Sequence, residues 1–382
     1  MRRTTLSGLC SEKCHYQHKM LHRRTGTGPR PSRSVITALL ALALLGAACR
    51  TGSSQANTST ASSRPNASQP KASQPNAKQP NASQANAPTS FSATLAPFQL
   101  PVAVSRPVVV VADGNKLVAL GGLTAGDTSS SAILQVDPAS GRTSQVGQLA
   151  QASHDAGGAL LGGRLVVFGG GAASVHDTVQ AFTPGTPGTP GTPAAQVVSH
   201  LPRPRADLST TTANGVAYVV GGYDGTSADP AVLATSDART FRTVAQLPHP
   251  VRYGAAAALG PYLWVFGGVS NGGTDNYPAT SYIQRIDTRT GQATVAGTLP
   301  VSLSHAAAVV VDGTLLVAGG LVGGHASSTI WRLDPATASV VPAGTLPETV
   351  SMPGAAAIAG VGYLVGGENS AALRTVVELR PA

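Results

Sequence analysis

Charge is scarce in this chain of 382 residues, at 11%, and aromatic side chains are scarcer still, at 4%. Cysteine is almost missing: Cys10, Cys14 and Cys49 are the only three, and none lies beyond residue 49. That excludes a disulfide framework, a thiolate metal centre and a cysteine nucleophile from everything that follows. Lysine runs out too, with Lys116 alone after residue 90, against 13 arginines. No apolar run is long enough to cross a bilayer as a helix; the longest, Val35 to Leu45, has eleven residues. A basic surplus is also absent from the bulk of the chain. The net charge of +9 comes from residues 1–90, which hold 12 Lys/Arg and one acid, Glu12, whereas residues 91–382 hold 14 basic and 16 acidic residues. A nucleic-acid binder carries its basic residues on the folded surface, so that class is excluded.

What is present is glycine (44) and proline (28). The length would suit two or three domains of about 150 residues, but a closed all-β architecture uses 250 or more as one. The Ala/Gly/Pro richness, with Arg in place of Lys, is the composition of a GC-rich bacterial genome.

The apolar run Val35–Leu45 has the length of a signal-peptide core, and Arg23, Arg24, Arg30 and Arg33 precede it as a positive n-region. Gly46-Ala47-Ala48-Cys49 follows. Small residues ending in Cys resemble the bacterial lipoprotein signal, although Gly46 stands where that signal usually has Leu. The resemblance implies lipid on Cys49 and a place on the outer face of the cytoplasmic membrane. The alternative is cleavage after Ala47 or Ala48 and free secretion. Met20 begins a more regular signal peptide than Met1 does, which would leave Cys10 and Cys14 untranslated. Residues 50–90 read as a disordered tether. Gln69-Pro70, Gln74-Pro75 and Gln79-Pro80 recur every five residues in an Asn/Ala/Ser background, which offers too little apolar surface to offset ordering entropy.

Residues 91–382 carry an internal period near 50. A double glycine ends an apolar run at Gly121-Gly122, Gly169-Gly170, Gly221-Gly222, Gly267-Gly268, Gly319-Gly320 and Gly366-Gly367. Before it lies a strand pair with a tight turn, marked by Asp113-Gly114 and Asp312-Gly313. After it comes a third strand, often ending in an Asp turn (Asp137, Asp287, Asp334), and a fourth running into Leu-Pro, as at Leu201-Pro202, Leu247-Pro248, Leu299-Pro300 and Leu346-Pro347. Such repetition marks a repeat architecture. It resembles the kelch repeat, and Gly222-Tyr223-Asp224-Gly225 is the best single match to that signature. The resemblance implies one four-stranded blade per repeat and a six-bladed β-propeller. The sixth repeat lacks its fourth strand and Leu-Pro; the segment ending at Leu100-Pro101 supplies them, so the N-terminal strand should close the last blade. Thr183–Pro193 (TPGTPGTPGTP) reads as a surface loop inserted in the second blade.

One position per repeat, 14 to 16 residues before the double glycine, carries Arg106, His154, Arg205, Arg252, His305 and Met352. In a kelch-like blade this falls at the mouth of the axial channel. The first five form a candidate ring for an anionic or polyhydroxylated ligand, with Asp155, Asp207 and Tyr253 beside them; alternatively, the same side chains lock blade to blade. No metal or other cofactor is expected. The histidines lie in different repeats without ligand spacing, and the absence of cysteine rules out a copper centre like that of galactose oxidase. The reading is of a non-catalytic binding or scaffold propeller, monomeric and held to the membrane only by lipid, facing a protein or glycan ligand. The alternative is a carbohydrate-active enzyme similar to the sialate mutarotases, with His154, Asp155, Arg205 and Asp207 as its acid/base candidates.

Overall fold

The computed structural model describes residues 87–112, 114–184, 193–270 and 278–382. The leader, Cys49, most of the tether, Asp113 and residues 185–192 of the Thr-Pro-Gly insertion lie outside them. Among the described residues all regular structure is strand. It forms six antiparallel blades, each with an inner strand and three further strands toward the outside. The inner strands are Val108–Ala112, Gly157–Leu161, Ser209–Ala213, Ala255–Leu259, Ala307–Val311 and Gly354–Ile358.

The chain ends meet in the sixth blade. Its strands run in the order Gly354–Ile358, Val361–Val365, Thr375–Pro381 and then Phe91–Gln99 from the other end of the domain. Phe91 pairs with Pro381, and Leu95 with Val377. The N-terminal strand thus closes the last blade, as the repeat count requires. Without it the edge of Thr375–Pro381 would be an open template for another chain.

The hydrophobic core is divided into six clusters, one between each pair of neighbouring blades. Between blades 4 and 5, for example, Trp264 and Phe266 pack against Leu315, Val317 and Trp331. The six leucines of the Leu-Pro positions, Leu100, Leu149, Leu201, Leu247, Leu299 and Leu346, are all buried. Burial of a Leu contributes about 2 kcal/mol, and this position repeats that contribution in every blade.

The double glycines sit where the second strand of each blade meets its neighbour. Both glycines of every pair have left-handed backbone, as in Gly169 (φ 58°) and Gly170 (φ 104°). The second N–H donates to a carbonyl of the next blade: Gly122 to Ser153 (2.8 Å), Gly170 to Arg205 (2.7 Å), Gly222 to Val251 (2.9 Å), Gly268 to Leu303 (2.8 Å), Gly320 to Val350 (2.8 Å) and Gly367 to Val104 (2.9 Å). A Cβ on the first glycine would overlap that same carbonyl oxygen. Crowding of the inner strands, the reason the sequence suggests, is therefore not the cause. The cause is a backbone bond between blades that only a side-chain-free, left-handed pair can make.

The inner strands run from one face, the mouth, to tight hairpins at the other face. Asn214-Gly215, Asp312-Gly313 and Ala359-Gly360 have positive φ at both central positions, the type I′ geometry that suits strand twist. Blade 1 differs, because Ala112 pairs with Lys116 and its turn is one residue longer. Between the inner strands lies a cavity of about 330 Å³, lined by residues such as Val110, Ala159, Thr211, Ala257, Val309 and Ala356. Strand direction puts Phe91 and Pro381 on the face opposite the mouth.

Candidate functional site

Each inner strand is preceded by a three-residue approach that repeats in all blades. Its first residue supplies the carbonyl bonded by the double glycine. Its second forms an isolated bridge with the residue after a double glycine, as Ser105 does with Leu123, His154 with Gly171 and Arg252 with Val269. Its third turns the chain into the inner strand and has left-handed backbone. These third residues are Arg106 (φ 57°), Asp155 (φ 53°), Asp207 (φ 57°), Tyr253 (φ 55°), His305 (φ 58°) and Met352 (φ 55°). Non-glycine residues rarely adopt this conformation, and here all six do.

Their backbones are tied into a ring. Arg106 N–H donates to Met352 O (3.0 Å), Met352 to His305 (2.8 Å), His305 to Tyr253 (2.9 Å), Tyr253 to Asp207 (2.8 Å) and Asp207 to Asp155 (2.8 Å). Between Asp155 and Arg106 the link is a side-chain ion pair of 2.9 Å.

The ring suggested by the sequence mixes all three positions. Arg106 and His305 occupy the third, His154 and Arg252 the second, and Arg205 the first. The third-position residues of blades 2, 3 and 4 are instead Asp155, Asp207 and Tyr253, which the sequence marks only as neighbours. The five candidates also have different surroundings. Arg205 is fully buried inside blade 3, where it pairs with Asp229 at 2.5 Å and donates to the carbonyls of Gly221 (3.2 Å) and Ala231 (2.9 Å). It braces the double-glycine turn of its own blade. Arg252 is buried as well, 3.4 Å from Asp207 and over the rings of Tyr223 and Tyr253, at 4.8 Å and 5.4 Å from their centroids. His305 stacks on Tyr253, with ring centroids 3.9 Å apart, and its Nδ1 bonds Ser304 Oγ at 2.8 Å. His154 bonds Ser129 Oγ through Nδ1 at 2.9 Å.

The electrostatics follow from burial in this polar ring. Burial, with help from the neighbouring Asp155 charge, pushes the Asp207 carboxyl up to about 7 against the opposing pull of Arg252, Arg106 and a hydrogen bond from Tyr253. Burial pushes His305 down to about 3, so its ring is neutral in the stack. Burial also lowers His154 and His176, and it raises the Tyr253 hydroxyl well above its ordinary value. Arg106 is held charged by Asp155, Tyr253 and Glu368, which together outweigh its own burial. The mouth is thus a network of mutually paired groups around one carboxyl poised near neutrality. No group of three metal-ligating side chains occurs among the described residues.

Residues 302–347, from the approach to blade 5 through to its Leu-Pro, match the family model described as Kelch motif. Six blades of this pattern make the chain a kelch-repeat β-propeller. No curated protein matches the chain.

Proposed function

We propose that the chain is a binding propeller of the bacterial cell envelope, anchored by lipid on Cys49 and presenting its mouth to a protein or glycan ligand. The observation that carries this reading is the backbone-bonded ring, which fixes Arg106, Asp155, Asp207, Tyr253 and His305 around one opening. Groups held in place before binding lose little entropy on binding. The tether reaches the domain at Ser90 and Phe91, on the face away from the mouth, and this supports display of the mouth outward. Of the five candidate ligand contacts, Arg106, His154, Arg252 and His305 remain at the mouth. Arg205 is committed to Asp229.

The test is a thermal-shift screen of the mature chain against neutral and acidic oligosaccharides and cell-wall peptides. A stabilising hit that weakens in both Arg106→Ala and His305→Ala is the expected result. Hits unaffected by either change would place recognition on the outer loops. For the anchor, Cys49→Ser should release the protein from membranes into the medium; retention on membranes would overturn that part.

A carbohydrate-active enzyme at the mouth is the second reading. One observation favours it: Asp207, raised to about 7, has the acidity of a general acid or base.

A further inference from the structure

The rim of the mouth carries a second arrangement, separate from ligand capture by the ring. Ser129 ends the short strand pair Leu123–Thr124 and Thr128–Ser129, which follows the first double glycine. This pair leans toward the start of blade 2. Ser129 Oγ lies 2.9 Å from His154 Nδ1. The other ring nitrogen, Nε2, lies 3.7 Å from Asp155 Oδ2. Arg106 holds that same carboxylate oxygen at 2.9 Å.

The protons follow from the partners. An ionised carboxylate only accepts, so Asp155 favours the tautomer with hydrogen on Nε2. Nδ1 is then a lone pair, and Ser129 must donate to it. This is the protonation state that a general base needs, with the nucleophile hydrogen already directed at it. Burial lowers the basicity of His154, with Arg106 contributing, so the ring is neutral at neutral pH.

Two other hydroxyl–imidazole pairs serve as internal comparisons. Thr178 Oγ1 bonds His176 Nδ1 at 2.9 Å, but His176 Nε2 is buried without a partner. Ser304 bonds His305, its own neighbour in sequence, and that ring is spent in the stack with Tyr253. Only the Ser129 pair combines a half-buried hydroxyl on the rim with a carboxylate at the far nitrogen of its histidine.

We propose that Ser129, His154 and Asp155 form a nucleophilic site that hydrolyses small carboxylic esters. Ser129 Oγ bonds to the ester carbonyl carbon while His154 Nδ1 takes its proton. The carbon–oxygen bond to the alcohol breaks, and the alcohol leaves with that proton. Water then attacks the acyl-serine, giving its proton to Nδ1. The carboxylic acid departs and Ser129 regains its hydrogen. Asp155 is the positioning residue, acting through His154.

The test uses the full chain with a fluorophosphonate probe, and with p-nitrophenyl acetate as substrate. The expected result is one adduct, mapped to Ser129, with nitrophenolate release. Both are abolished in Ser129→Ala, reduced at least about tenfold in His154→Gln, and unchanged in Thr178→Ala. In the unaltered protein the labelling rate should fall as the pH is taken from about 8 to about 5, as His154 gains a proton; this arm depends on no variant folding. A missing adduct at Ser129, an adduct undiminished in folded His154→Gln, or a rate flat across that pH range would each overturn the proposal.

Discussion

Gly367 and Val104 lie in different thirds of the chain, yet the Gly367 N–H donates to the Val104 carbonyl at 2.9 Å. This bond is the sixth of its kind and the one that makes a row of blades a ring. The other five join consecutive repeats. Closure therefore has two components, this bond and the pairing of Phe91–Gln99 with Thr375–Pro381.

Removing residues 91–101 should unfold the sixth blade. The segment buries Phe91, Phe98 and Leu100, each worth about 2 kcal/mol. With the lost strand pairing, stability should fall by at least about 5 kcal/mol. Urea denaturation followed by circular dichroism measures it, and an unchanged midpoint would contradict strand closure.

Alanine should be tolerated very differently at two glycines with similar backbone. At Gly169 (φ 58°) a Cβ would overlap the Arg205 carbonyl, whereas at Gly215 (φ 74°) it meets nothing within 4 Å. Gly215→Ala should cost about 1 kcal/mol, the strain of left-handed backbone alone. Gly169→Ala should cost about 3 kcal/mol or more, because the bond between blades must also shift. Paired thermal melts test the difference; equal costs would remove the steric account of the double glycine.

Arg205→Ala should act on stability rather than on any ligand. It strands Asp229 as a buried carboxylate, and loss of one partner from a buried pair typically costs about 3–5 kcal/mol. Arg205 is 2% exposed, so a folded Arg205→Ala protein with normal stability and lost ligand binding would be the opposite of what the structure requires.

The pH dependence of stability should change in Asp207→Asn. The folded-state pKa of Asp207 is raised to about 7, from about 3.9 in an unfolded chain. Between these values the folded form holds the extra proton, so this group's contribution is full below about pH 4 and is lost as pH rises toward 7. His305, lowered to about 3, works with the opposite sign over much of this range, so the parent curve is flattened. Asparagine removes only the first contribution. Relative to the parent, Asp207→Asn should gain stability as pH rises from about 4 to about 7, by up to roughly 4 kcal/mol. Chemical denaturation of both proteins across that range measures the gap; a constant gap would mean Asp207 is ionised throughout.

The fold was legible because its rule is local and repeated. Every double glycine answers the same need for two left-handed residues under a neighbouring carbonyl, so the sequence shows it six times. The missing Leu-Pro at the end and the extra one at Leu100-Pro101 follow from the same count. The mouth was less legible for a definite reason. Counting back from the double glycine crosses a hairpin, and the hairpin of blade 1 is one residue longer than those of blades 2 to 6. Arg106 lies 15 residues before its glycine and His305 only 14 before its own. A window wide enough for both admits His154 and Arg205 from the adjoining positions. No window reveals that Arg205 is committed to Asp229, 24 residues on, or that Ser129 reaches His154 across a blade boundary. Such pairings are made by the packing of blades, and only the left-handed turn of Asp155, Asp207 and Tyr253 marks them as equivalents.

The pairing of Phe91 with Pro381 also sets an order of events. During synthesis the strand Phe91–Gln99 emerges before every blade, and its partner Thr375–Pro381 emerges after nearly all of them. For that whole interval Phe91 and Phe98 have no permanent neighbour. Blades 1 to 5 can assemble on one another as they appear, each from contacts within a repeat or between adjacent repeats. The last step must join two segments almost 300 residues apart, which is slow because loop closure grows costlier with separation. The first strand made is the last one used, so the growing domain is most exposed to pairing with another chain just before release.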